Sequence, residues 1–293
     1  MRTMRETFTA TTIDLLDTDP RTTLVLADIS ASHFARSPRV HNVGIREQAM
    51  IGITAGLALS GLRPIAHTYT PFLVERPFEQ VKLDLGHQDL GAVLVSIGAS
   101  YDAAEEGRTH QSPGDIALLA TLPGWTIHVP GHPDEVEAML RVAASGNDRV
   151  YIRLTEDGNA CPHPVTGSLT TVREGSAPGA TIIAVGPMLD RVTAATAHLD
   201  VTILYANTVR PFDRRGLAAA VNGTEVVLVE PYLEGTSASE VTAALSERPI
   251  RLLPIGVPDT ELRHYGTPVD HDRARGLDVA GLRARITGFL EGK

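Results

Sequence analysis

The stretch His41-Asn42-Val43-Gly44-Ile45-Arg46-Glu47-Gln48-Ala49-Met50 reads as a glycine-containing turn that runs into a helix. Ile45, Ala49, Ile53 and Leu57 recur at helical spacing, which predicts a helix over 47–59. Glu47 falls in its first turn, among residues expected to be buried. A buried carboxylate is costly unless something pairs with it, so this residue needs a reason. The plainest reason is structural: an acid facing the positive helix end, or an ion pair with Arg46.

Outward from this stretch, short β-branched runs alternate with helical patterns, the signature of parallel α/β architecture. Strands are expected at 23–27, 64–69, 92–97, 126–129 and 150–154, with helices at 77–85, 115–120 and 134–144 between them. From 155 to 180 Pro and Gly crowd a segment of weak periodicity, which reads as a linker. A second α/β pattern follows, with strands at 181–185, 202–206, 225–229 and 251–255. Its helices are expected near 189–199, 213–220, 239–245 and 279–289. The expectation is an α/β chain of two domains, 1–158 and 180–293, joined by a linker at 159–179. Each domain is a mainly parallel sheet flanked by helices.

Bulk properties narrow the function. The 293 residues carry 35 acidic against 26 basic side chains, with no basic stripe, which speaks against a nucleic-acid or anionic-membrane role. A lone Cys161 cannot form an internal disulfide or furnish a thiolate zinc site. The polar, Thr-rich start lacks an apolar leader, and no run approaches spanning length, so a cytoplasmic protein is expected. Walker, GxGxxG, HExxH and GxSxG patterns are all absent.

In open parallel sheets ligands sit beyond the carboxyl ends of strands, which directs attention to 28–39, 70–78 and 98–111. The last is a loop of small residues ending in His110, an imidazole able to exchange protons near neutrality or simply to brace the loop. Phe72 and Phe78 are two of only six phenylalanines, and they form either an apolar wall for a flat ring or ordinary packing.

Taken in order, Gly44-Ile45-Arg46-Glu47-Gln48-Ala49-Met50, the segment Phe72 to Phe78, and Gly107-Arg108-Thr109-His110-Gln111 resemble the transketolase family and the related 1-deoxyxylulose-5-phosphate synthases. Val209-Arg210-Pro211-Phe212-Asp213 and Pro254-Ile255-Gly256-Val257-Pro258-Asp259 match patterns of the family's C-terminal domain. The resemblance spans essentially the whole chain and implies a thiamine diphosphate-binding pyrimidine domain followed by the transketolase C-terminal domain. It implies a transferase that moves a two-carbon ketol unit from a ketose to an aldehyde. Glu47 matches the carboxyl that hydrogen-bonds N1′ of the cofactor's aminopyrimidine and so activates it. Phe72, Glu75 and Phe78 fall around that ring. Tyr69 and His110 match residues that line the site and contact substrate hydroxyls. Glu106 stands where an Asp is usual, and Arg36 falls at a phosphate-binding Arg.

Departures from the family pattern bear on the substrate. Glu75 replaces Phe or Arg, Gly98 replaces a phosphate-contacting His, and Leu154-Thr155-Glu156-Asp157 stands where an Arg is common. Carboxylates repel a phosphate dianion, so an acceptor or donor other than an ordinary sugar phosphate is expected, unless Arg108, Arg76 or Arg153 compensates. The Gly-Asp-Gly…Asn motif that holds diphosphate and a divalent metal, Mg2+ or Ca2+, is not found; Gly114-Asp115-Ile116 lacks its second Gly. The resemblance therefore implies the C-terminal subunit of a split transketolase, needing an N-terminal, diphosphate-binding partner in an α2β2 assembly. Two other readings share the domain pair: the β subunit of a 2-oxoacid dehydrogenase, and a scaffold subunit without catalysis.

Overall fold

The computed structural model of the chain, described over residues 2–34 and 37–292, contains two sheets dominated by parallel pairs. The first is built on β1 (Thr22–Leu26), β2 (Val40–Asn42), β3 (Arg63–Tyr69), β4 (Val93–Ile97), β5 (Trp125–His128) and β6 (Arg149–Arg153). The second holds β7 (Thr170–Arg173), β8 (Thr181–Val185), β9 (Thr202–Ala206), β11 (Glu225–Leu233) and β12 (Arg251–Val257). Between β9 and β11 the short β10 (Thr208–Arg210) crosses back and closes the first sheet, antiparallel to β5. The orders are β10-β5-β6-β4-β3-β1-β2 and β12-β11-β8-β9-β7. Strands β1, β4, β8 and β9 are buried along their whole length, as parallel strands covered on both faces must be. The two-domain α/β expectation is met.

Two local expectations are corrected, and one helix, at the Thr-rich start, was not expected. The proposed linker is not irregular throughout: its residues 170–173 are β7, antiparallel to β9. Thr-rich and half-exposed, that strand offers no alternating apolar signal. The Thr-rich start is a helix, Met4–Thr18, opened by a capping box between Thr3 and Glu6. It buries Met4, Phe8, Leu15 and Leu16 together with Thr7, Thr11 and Thr12, so threonines on its inner face hid its period. The helix expected over 77–85 is a short helix, Phe78–Gln80, running into a π-helical stretch, Val81–His87, and it is preceded by a separate π-helical turn, Pro71–Glu75.

The two sheets share one core. Ile127 and Val129 of the first domain pack in the same apolar cluster as Ile183, Val185 and Leu204 of the second. Around this seam, buried Glu135 accepts hydrogen bonds from the Gly131 amide at 3.0 Å, the Tyr205 hydroxyl at 2.7 Å and the His163 amide at 2.9 Å. The carboxylate is thus satisfied by groups from both domains and from the segment between them.

Candidate functional site

Strands β3 and β4 lie side by side with Tyr69 opposite Ile97, so their carboxyl ends open together. The Thr70 hydroxyl donates to the Ile97 carbonyl at 2.9 Å and ties the two exits. From there Pro71–Glu75 winds as a π-helical turn, closed by the Arg76 amide on the Pro71 carbonyl at 2.9 Å. Such wide turns re-aim side chains and concentrate at functional sites. Here the turn directs Phe72 toward the loop after β4 and lets Arg76 reach back to the helix Glu47–Leu59.

That helix is the one expected, but its two apolar faces are used in the opposite sense. The buried face is Glu47, Met50, Ile51, Thr54 and Ala55. The Ile45, Ala49, Ile53 face points outward, with Ile45 72% and Ile53 40% exposed. Nor does Arg46 pair with Glu47; its guanidinium donates to the Val43 carbonyl at 3.3 Å. Glu47 is 2% exposed and is met by Arg76, whose Nη1 lies 2.8 Å from Oε2. The Arg76 guanidinium also lies 4.0 Å above the Phe72 ring centroid.

His110 completes the cluster. Its ring stands edge-on to Phe72 at 4.9 Å and to Tyr69 at 5.4 Å, and its Nδ1 is 2.9 Å from the Thr109 hydroxyl. The loop carrying it makes a 3-10 helical passage from Ala104 to His110, broken at Gly107, where φ is +71°. A Cβ at Gly107 would lie 2.6 Å from Cε1 of Tyr265 in the second domain. Two more contacts fasten the loop to that segment: Arg108 to Glu261 at 2.9 Å and the Gln111 amide to the His264 carbonyl at 3.2 Å. Glu75 accepts from the Ser112 hydroxyl at 2.6 Å and so links the wide turn to the same loop.

The structure therefore brings Glu47, Phe72, Tyr69 and His110 to one place, with Glu75 at its edge. Phe78 is half-buried one turn further on, and no ring contact among the described residues joins it to Phe72. Glu106 is exposed and lies on the wall of a cavity beside Tyr69, without a contact to the ring cluster among the described residues. Arg36 lies outside the described residues. Each of the three arginines expected to compensate for lost phosphate contacts has a carboxylate partner in this structure. Arg76 is held by Glu47, Arg108 by Glu261, and Arg153 is wholly buried. Arg153 pairs with Asp115 at 2.8 Å and donates to the Ser100 hydroxyl at 2.6 Å, while the Tyr151 hydroxyl donates to the same Asp115. That buried network is what the Asp of Gly114-Asp115-Ile116 serves.

A cavity of about 550 Å³ opens beside Tyr69. Gly98, Asp102, Glu105, Glu106 and Glu156 line it, and Arg5 is the one basic residue among those described. Asp102 accepts from the Glu156 amide at 3.0 Å, and burial pushes its carboxyl up to about 7 despite the neighbouring Arg153 cation. Gly98 has φ +69°, and a Cβ there would lie 2.4 Å from Cδ1 of Tyr69. The tyrosine ring fills the space a side chain at 98 would need. Gly98 and Glu156, both departures from the family's phosphate-contacting pattern, converge with Asp102 on one cavity, which is visible only in the fold.

The chain matches the transketolase pyrimidine binding domain over residues 1–159 and the transketolase C-terminal domain over 167–281. It is 52% identical over 293 residues to a 33.6 kDa protein in the fasciation locus of Rhodococcoides fascians, covering 97% of this chain and 93% of that protein. It is 32% identical over 270 residues to 1-deoxy-D-xylulose-5-phosphate synthase of Magnetococcus marinus, covering 86% of this chain and 42% of that enzyme. Among solved structures, one described as a split gene transketolase, inactive beta4 tetramer, superposes with a TM-score of 0.82 at 26% identity, covering 97% and 96% of the two chains. The Campylobacter jejuni transketolase shares the fold, with a TM-score of 0.78 at 16% identity over 99% of this chain and 46% of its own. No helix of the described residues is long and apolar enough to cross a membrane. By the match of both domains, this chain belongs to the transketolase family.

Proposed function

We propose that the chain is the pyrimidine-binding, C-terminal subunit of a two-component transketolase, moving a two-carbon ketol unit from a ketose donor to an aldehyde acceptor that carries no phosphate. The observation that carries this reading is the cluster of buried Glu47, the Phe72 ring and His110, which stands 4.9 Å from Phe72. These residues fit the pyrimidine half of thiamine diphosphate: a buried acceptor for a ring nitrogen and an aromatic face to lie against. When bound, that cofactor supplies the carbon nucleophile for ketol transfer. Glu47 would hold the ring nitrogen by a hydrogen bond and share a proton with it, and its burial would keep that exchange away from water. His110 is placed to orient substrate hydroxyls and to pass protons to a carbonyl oxygen, its ring angle fixed by Phe72, Tyr69 and Thr109.

Two further features support the reading. The outward Ile45–Ile53 face is apolar surface of the kind that marks a protein interface, which accords with a diphosphate-binding partner, holding Mg2+ or Ca2+, in an α2β2 assembly. The acidic lining beside Tyr69 disfavours a phosphate dianion. With the two subunits reconstituted, kcat/KM is expected to be higher for free sugars than for their phosphates. A strong preference for the phosphorylated forms would overturn the substrate assignment.

A further inference from the structure

We infer that Arg76 is a removable stand-in for the cofactor's aminopyrimidine ring, occupying the slot in the free chain and setting how readily the cofactor is taken up. The inference rests on the assignment of Glu47 and Phe72 to that ring. Both contacts so assigned are already made by one side chain: Arg76 donates to Glu47 at 2.8 Å and lies 4.0 Å over Phe72. A guanidinium is the natural substitute, since it is flat, rich in donors and able to stack on an aromatic face.

The two partners differ in what it costs to part them. The Glu47 side chain is 3% exposed and the Arg76 side chain 39%. Arg76 can therefore swing into water while Glu47 stays where it is. Its backbone need not follow, because the amide is held by Pro71 and the carbonyl accepts from Gln48 Nε2 at 3.4 Å. Glu75, the nearest acid in the chain, is engaged with Ser112. With the slot empty, a buried carboxylate stripped of its cation would be strongly destabilising, and Arg76 prevents that. With the cofactor present, a proton shared between Glu47 and the ring nitrogen would take the place of the guanidinium's hydrogen bond, and the ring would take its place over Phe72.

The test uses the full chain in five forms: wild type, Arg76→Met, Arg76→Lys, Glu47→Gln and Arg76→Met with Glu47→Gln. Thermal melts form a double-mutant cycle, in which Arg76→Met lowers Tm when Glu47 is present and much less when it is Gln. Equal losses in both backgrounds would overturn the pairing. Thiamine diphosphate is then titrated, with saturation transfer to its pyrimidine protons as the readout. Half-saturation is expected at about tenfold lower concentration for Arg76→Met than for wild type, with Arg76→Lys between them. Coupled melts with unchanged or weaker cofactor binding in Arg76→Met overturn the stand-in role alone. Coupled melts with no transfer to the pyrimidine protons in any form overturn the slot itself, and the cofactor assignment with it.

Discussion

The burial of Glu47 is tolerable because its surroundings are specific. A carboxylate this buried would be a liability on an anonymous helix; here Arg76 pairs with it and lies over Phe72, and the proposed function makes it an acceptor held ready. Glu47→Gln keeps the shape and loses the shared proton. Turnover of the reconstituted enzyme is expected to fall by at least about a hundredfold, with an unaltered circular dichroism spectrum. Gly98 gives a second test. Ala there would be strained at φ +69° and would strike Tyr69, so Gly98→Ala is expected to cost at least about 1–2 kcal/mol in denaturant unfolding. Part of that loss should return when Tyr69→Ala is added, whereas no return would show that the ring is not what fills the space. A third concerns Glu230, wholly buried, with Oε2 lacking a hydrogen-bond partner among the described residues. Burial pushes its carboxyl from 4.5 to about 7. The folded state thus holds the proton more tightly than the unfolded state. That stabilisation is complete below pH 4.5 and is lost as pH rises through about 7. Glu230→Gln should flatten the decline in Tm between about pH 4.5 and 7. Asp102, shifted in the same sense, leaves a residual slope that Asp102→Asn removes.

At the scale of elements, what the sequence disclosed depended on how strong each local period was. The helix Glu47–Leu59 was legible to its ends because apolar residues surround it, yet that same richness concealed which face was buried. Ile45 and Ile53 keep helical spacing as well as Met50 and Ile51 do; only the sheet behind the helix decides between them. The central strands were legible as β-branched runs, while β7 and β10 were not, being short, Thr-rich and paired antiparallel at sheet edges. At the site, Glu47, Phe72 and His110 could be named from motif order. Arg76 on Glu47 could not, because the π-helical turn that delivers it leaves no periodic trace. The exposed helix face carries its own prediction. Ile53→Asp should leave the melting curve of the isolated chain within about 0.5 kcal/mol of wild type. It should also abolish co-purification with the diphosphate-binding subunit, and intact assembly would show that another surface makes the contact.

Across the whole molecule, the two domains share an apolar core beside the loop that carries His110. That core, the Glu135 network and the grip of Glu261, His264 and Tyr265 on residues 107–111 mean that the second domain braces the candidate site carried by the first. The first domain provides an acceptor, an aromatic wall and an imidazole. In the proposed function the diphosphate and its metal are held by a second polypeptide, and that division of the site is the central claim. Its most direct test is ketol transfer measured with this chain alone, with the diphosphate-binding subunit alone, and with both, each saturated with thiamine diphosphate and Mg2+. The account predicts turnover only in the mixture, and none when the chain carries Glu47→Gln. Full turnover by this chain alone, or by the mixture containing Glu47→Gln, would contradict it.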